Sequence, residues 1–272
     1  MMFFKKIARY FLSLIALLPF SLISQTLSEI HTYPISENAV WTVDGLENII
    51  LSERDRLTKY DKKGKLLFEQ SQKSLGRFDK VELVNSLKFY GFSETQQLIC
   101  FFDNSLSMME KCLDLSEYDL INVSTVASSG QSDKMWVFDQ VNSTLHLLSF
   151  NGLLQSQAIK NLNGILNAEN ISQLIEWENK LFVLDNKKGI YVFDLYGTLI
   201  RFIEFDNIKW IQIYNEYIIC LRDNELKMIS LQNDKSVIFP LSYQDVQTIF
   251  VDDDFVYLRT PKTIIKTQFV FE

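Results

Sequence analysis

Short apolar runs recur along this chain, and polar clusters separate them. Residues 181–205, LFVLDNKKGIYVFDLYGTLIRFIEF, hold three such runs parted by DNKKG and DLYG. The stretch from Met135, MWVFDQVNSTLHLLSFNGLLQS, repeats the order. An apolar strand ends in Asp, a polar turn follows, a second apolar strand comes next, and a turn ending in Gly leads to a third. Asp139 and Gly152 are thirteen residues apart, and Asp185 and Gly197 are twelve apart. Residues 49–68 repeat the design with Ser52 in the Asp position and Gly64 twelve residues on. Weaker copies place Asp103, Asp223 and Thr260 at the same first turn. Runs of this length bounded by Gly, Asn, Asp and Ser read as β-strands.

Each copy has one more strand upstream: AVWTVD from Ala39, LKFYGF from Leu87, LINVSTVA from Leu120, SQLIEW from Ser172, WIQIYN from Trp210 and VQTIFV from Val246. Four strands repeating at about forty residues predict an all-β fold, a β-propeller of six four-stranded blades. The middle strands, such as FVL, YVF, WVF and IICL, are continuously apolar, as befits a sheet covered on both faces. One such meander cannot bury both faces alone, so the copies must stack and close. After Thr260 only IIKTQFVF remains, one strand too few. TLSEIHTYPI, near the N-terminus, is a spare strand and is expected to complete the last blade as its outermost strand. The longer gaps, 71–86 and 154–171, read as loops or short helices between blades.

The first residues change the domain picture. Lys5, Lys6 and Arg9 precede an uncharged apolar stretch from Phe11 to Ile23. Residues 1–24 therefore read as a signal peptide, with an uncleaved anchor as the alternative, and residues 25–272 as one propeller domain. Removing those three cations makes the net charge, −7 for the whole chain, more negative still. No basic stripe is present, so nucleic acid is not an expected partner. No membrane span is expected after cleavage. Cys100 and Cys112 lie at unequal distances from the DNS turn, and Cys220 sits in YIICL, so three free thiols are expected.

The whole 25–272 stretch resembles the broad propeller superfamily, including exported quinoprotein-like and six-bladed NHL-like members. It carries no Trp-Asp repeat, kelch Gly-Gly pair or Asp-box. The segment from Gly76, GRFDKVELVNSLKFYGFSETQQLICFFDNSLS, looks similar to a stretch of exported propellers from Bacteroidota-type bacteria. The resemblance implies export to the periplasm or outer membrane and implies no activity.

Candidate chemistry is sparse. Two isolated histidines, His31 and His146, do not make a zinc set, and no nucleophile elbow, P-loop or dinucleotide fingerprint occurs. No cofactor or metal is expected. Asp252, Asp253, Asp254 and Glu176 are the carboxylates to consider for a channel calcium, although FVDDDF reads more simply as a turn. Trp41, Trp177 and Trp210 all fall on the innermost strands and are the candidate binding residues; Trp136, on a second strand, is expected in the core. The leading functional expectation is a non-catalytic protein-binding scaffold of the periplasm or envelope, part of an assembly, transport or secretion complex. The alternative is a calcium-dependent lactonase-like or sugar-active hydrolase. A third reading is recognition of a glycan or peptide by the inner aromatics.

Overall fold

A computed structural model describes residues 25–271 apart from 72, 121, 150–156, 234 and 253. The expected signal peptide, 1–24, lies outside the described residues. Strand β1 (Gln25–Pro34) comes first, followed by six sheets in chain order. Blade 1 is β2 (Val40–Val43), β3 (Ile49–Glu53), β4 (Arg56–Tyr60) and β5 (Leu66–Ser71). Blade 2 is β6 (Lys80–Asn85), β7 (Lys88–Ser93), β8 (Leu98–Asp103) and β9 (Leu113–Asp114). Blade 3 is β10 (Val123–Ser128), β11 (Lys134–Asp139), β12 (Thr144–Ser149) and β13 (Gln157–Ile159). Blade 4 is β14 (Ile171–Trp177), β15 (Lys180–Asp185), β16 (Gly189–Asp194) and β17 (Leu199–Glu204). Blade 5 is β18 (Trp210–Tyr214), β19 (Tyr217–Arg222), β20 (Glu225–Ser230) and β21 (Ser236–Pro240). Blade 6 is β22 (Thr248–Val251), β23 (Val256–Arg259) and β24 (Thr263–Phe271), and β1 is its outermost strand. The chain is a six-bladed β-propeller closed by its N-terminal strand, which pairs antiparallel with β24.

Local chemistry explains the hairpins. Asp44, Asp61, Asp103 and Asp194 each start the same turn, with Oδ1 accepting the N–H groups two and four residues on; for Asp61 both bonds, from Lys63 and Lys65, are 2.8 Å. The fourth residue of each turn is left-handed. Gly64 (φ 79°) and Gly197 (φ 98°) adopt this freely, whereas Glu47 (φ 65°) and Leu106 (φ 66°) hold it without glycine.

The core is divided among the joints. Among the described residues, six apolar clusters occur, each shared by two adjacent blades. Trp136 and Phe138 of blade 3 pack with Leu181 and Phe193 of blade 4, all fully buried. Each such side chain contributes roughly 2–3 kcal/mol of burial that an isolated blade cannot obtain. This is why β11, β15 and β19 are apolar on both faces.

Polar clamps cross the same joints. Gln173 of β14 forms two bonds with the Ile211 backbone, Nε2–H to O at 2.8 Å and N–H to Oε1 at 3.0 Å. Gln212 repeats this on Val251, and Gln97 on Val123. Each amide imitates a strand neighbour and satisfies a backbone pair that no strand reaches. Between blades 1 and 2, the buried Lys59 Nζ pairs with Asp44 Oδ2 at 2.8 Å and donates to Asn104. At the closing joint Trp41 Nε1 donates to Thr248 Oγ1 at 2.9 Å, and Lys266 Nζ pairs with Glu47 at 2.6 Å.

Two expectations are corrected in blade 2. LKFYGF is its second strand, not its first, and Asp103 ends the third strand. The first strand is β6, inside a stretch expected to be a loop, and the equivalent first turn follows Ser93. Lys80 and Glu82 face the channel, so β6 carries no continuous apolar run. Cys100 and Cys112 form a disulfide, leaving Cys220 as the buried free thiol. The turn count misled because the β8–β9 loop is not a simple hairpin. Phe102 bridges to Met108, but Ile99 pairs with Leu113, and the slack between the two registers swings Cys112 opposite Cys100.

Candidate functional site

The first strands of all six blades surround a central cavity of about 820 Å³. Its mouth is formed by the segments entering those strands, where Glu37, Asp79, Glu169 and Lys209 stand, and by second-to-third turns carrying Glu94 and Gln140. Deeper, Trp41, Trp210 and Phe250 form an arc across blades 1, 5 and 6, each half-buried. The Trp41 and Phe250 rings meet at 6.4 Å between centroids, edge to face. Ser124 and Thr125 of blade 3 line the wall opposite blade 6.

Two ion pairs join charges at this site. Arg77 Nη2 reaches Asp79 Oδ1 at 2.7 Å, and Lys80 Nζ reaches Glu82 Oε2 at 3.2 Å. Glu82 also accepts from the buried Tyr90 hydroxyl. Burial pushes the Glu94 carboxyl above its ordinary value, and the charge of Asp79 adds to the effect. Arg259, at the end of β23, is 8% exposed. Its Nη2 donates to the Glu37 carbonyl at 2.6 Å, while Nε is buried with no partner. Burial draws its pKa down, and Glu37 partly restores it. Ser124 Oγ is likewise buried without a partner.

The candidate tryptophans separate. Trp41 and Trp210 line one cavity. Trp177, at the far end of β14 beside the turn to β15, packs between blades 4 and 5 with its indole N–H buried and unpartnered. Trp136 is fully buried. Arg259 escaped notice, although an Arg closing the otherwise apolar run FVYLR marks it. Glu176 is not free for a cation: its carboxylate accepts from Ser129 Oγ and Trp136 Nε1, both at 2.6 Å, and from Gly130 N at 3.0 Å. Asp252 and Asp254 lie in the turn from β22 to β23, and Asp253 lies outside the described residues. Among the described residues, no three His, Cys, Asp or Glu side chains are grouped to hold a metal. His31 is on the rim strand β1 and His146 on β12; neither lines the cavity.

No protein-family model matches the chain, and no curated protein sequence matches it significantly. Solved structures do. Virginiamycin B lyase from Staphylococcus aureus aligns with a TM-score of 0.64 at 10% identity, over 91% of this chain and 100% of the lyase. A catalytically inactive histidine-to-alanine form of that lyase with quinupristin aligns with 0.62 at 11%, over 91% and 100%. The Pan2 WD40 domain of Neurospora crassa aligns with 0.63 at 10%, over 92% and 98%. At such identities these likenesses speak for the fold alone, a six-bladed β-propeller whose neighbours include an enzyme and a WD40 domain.

Proposed function

We propose that this protein is a non-catalytic, protein-binding scaffold of the bacterial periplasm or envelope, holding a partner within an assembly, transport or secretion complex. The observation that carries this reading is the rim of blades 4 and 5. Their adjacent outermost strands, β17 and β21, expose Leu199, Ile200, Phe202, Val237 and Ile238, with Ile238 at 52%. Unpaired sheet edges are ordinarily blunted by charge or proline, and an exposed apolar edge is a docking surface for another protein. The Cys100–Cys112 disulfide suits an oxidising compartment and so supports export. The hydrolase alternative has less behind it. Glu176 is saturated by structural donors, and neither histidine reaches the channel.

The test is a crosslinking pull-down of the tagged protein from its native envelope, run beside an Ile200→Asp/Ile238→Asp variant. A specific envelope protein recovered with the wild type and lost from the variant is the expected result. Background proteins alone in both samples would overturn the reading.

A further inference from the structure

The rim across the ring from blades 4 and 5 has a different chemistry. In a ring of six, blade 1 faces blade 4. The two blades end in the same hairpin. Asp61 and Asp194 start matching turns, and in the outermost strand that follows each one a bulge puts one residue out of register, Leu67 in β5 and Ile200 in β17. The turns differ in charge. Turn 194–198 holds no cation, whereas turn 61–65 holds Lys62, Lys63 and Lys65, all exposed. Around the basic turn, Leu66, Leu67 and Phe68 of β5 and Ile30 of β1 are exposed as well. Strand β1 is held against the turn: His31 fills the place that a side chain on Gly64 would take, and Tyr33 Oη donates to the Asp61 carbonyl at 3.3 Å. The nearby carboxylates have partners. Glu47 pairs with Lys266 and, at 3.5 Å, with Lys62; Glu69 pairs with Arg56; Glu29 accepts from Thr32. Asp61 Oδ1 takes the backbone N–H groups of Lys63 and Lys65, whose ammonium groups form no ion pair among the described residues. Three lysines against one aspartate leave the turn positive on a chain of net charge −7. A blade is four strands deep at about 4.8 Å per strand, so the carboxylates of the channel and of the far rim stand beyond the roughly 8 Å over which charge is felt in physiological salt.

We propose that the rim of blade 1 docks edge-on against an anionic lipid surface, with Ile30, Leu66, Leu67 and Phe68 entering the headgroup boundary and Lys62, Lys63 and Lys65 meeting lipid phosphates. Such a surface takes both kinds of group at once. The apolar side chains leave water, and the lysine stems run along them to bring each ammonium to a phosphate. Blades 4 and 5 then point away from the lipid, open to a partner. The setting rests on the envelope reading above, but the contact is made by other residues and its test needs no partner protein.

The test is flotation of residues 25–272, which hold every strand of the closed ring, with vesicles of phosphatidylcholine alone and of phosphatidylcholine mixed with phosphatidylglycerol. Binding to the mixed vesicles alone is expected, and it should weaken as salt rises. Each lysine at such a surface is worth about fivefold in partitioning, so Lys63→Gln/Lys65→Gln should weaken binding about 25-fold. Both side chains are exposed and their backbone bonds to Asp61 are kept, so the fold is not at risk. Leu67→Asp should weaken binding about tenfold. Ile200→Asp/Ile238→Asp, on the far rim, should float as wild type does, even where it loses its protein partner, and so separates this contact from the scaffold reading. No enrichment on the mixed vesicles, equal flotation of the lysine variant, or loss of flotation in Ile200→Asp/Ile238→Asp would overturn the proposal. So would binding of polyglutamate without binding of vesicles, which would make an acidic protein the occupant of the rim.

Discussion

Blades 3 and 4 are neighbours with the same plan, yet they treat the same aspartate differently. Asp139 ends β11 and Asp185 ends β15, and both are buried. Asp139 uses both oxygens: Oδ1 accepts Asn142 N–H at 3.2 Å and Oδ2 accepts Asn142 Nδ2–H at 2.7 Å. Asp185 Oδ1 accepts the N–H groups of Lys187 and Lys188, each at 3.0 Å, while Oδ2 is buried with no partner. The turns differ in length as well as in side chain: Asp139 pairs with Thr144, whereas Asp185 pairs with Gly189, so the blade 4 turn is one residue shorter. Asn142 stands three positions after Asp139, and Lys188 stands three after Asp185. The repeat keeps the aspartate at the strand end, but satisfaction of its second oxygen depends on the turn length and the side chains that each copy carries.

The largest effect should come at the joint between these blades. Glu176→Ala would strand the Trp136 indole N–H, the Ser129 hydroxyl and the Gly130 N–H together. A loss of about 3 kcal/mol is expected in chemical denaturation. The partner clamp to blade 5 offers the contrast: Gln173→Ala strands one N–H and one carbonyl, and about 2 kcal/mol is expected. Equal losses would mean that the joints are held by packing alone.

Next, Asp139→Asn and Asp185→Asn should behave oppositely. In blade 3 a new amide would face the Asn142 amide donor, or else withdraw an acceptor from it, costing about 2 kcal/mol. In blade 4 the carbonyl oxygen keeps both N–H donors, the amide takes the idle position, and a buried charge disappears. Stability should stay within about 0.5 kcal/mol of wild type or rise. Similar losses at both sites would show that Asp185 Oδ2 has a partner of its own, an ordered water being the simplest.

Smaller still is the graft. Lys188→Asn sets an amide where blade 3 has Asn142, and a gain of about 1 kcal/mol is expected. No gain would mean that the shorter blade 4 turn does not carry that side chain to Asp185 Oδ2.

The same contrast explains what could be read from the chain and what could not. The Asp-ended second strands, the doubly apolar middle strands and the missing last strand all follow from burial, and burial leaves a mark in local sequence. Blade count and closure were therefore legible. Blade 2 was not, because its first strand carries Lys80 and Glu82, charges that face the channel and break its apolar run, and its first turn is SETQQ, which has neither Asp nor Gly. Cys112 depended on a register shift within a loop. In the channel, Trp41 and Trp210 were legible as inner-strand aromatics. Trp177 is on an inner strand as expected, but that position does not say at which end of the strand a residue sits, and Trp177 stands at the end of β14 beside the turn to β15. Arg259 and Ser124 gain their meaning only from what fails to reach them, and sequence does not record an absent partner.

The least effect, and the finest test of the blade comparison, is protonation. His146 pairs across from Val137 on β12, as Tyr191 pairs across from Val183 on β16, so the two rings occupy matching places beside Asp139 and Asp185. Burial lowers the His146 pKa from 6.5, Asp139 pulls it back up, and Lys160 lowers it further. The folded pKa is below the unfolded one, so the unfolded chain binds more protons between the two values. Stability should therefore be full above about pH 6.5 and fall as pH drops through the folded pKa. NMR titration of the His146 ring should show a midpoint below 6.5. Asp139→Asn removes the one charge that raises that midpoint, so it should fall further, whereas Asp185→Asn, in the next blade, should leave it in place. A midpoint that moved equally in both variants would mean that the two turns share one electrostatic environment, and the separation drawn between blades 3 and 4 would fail.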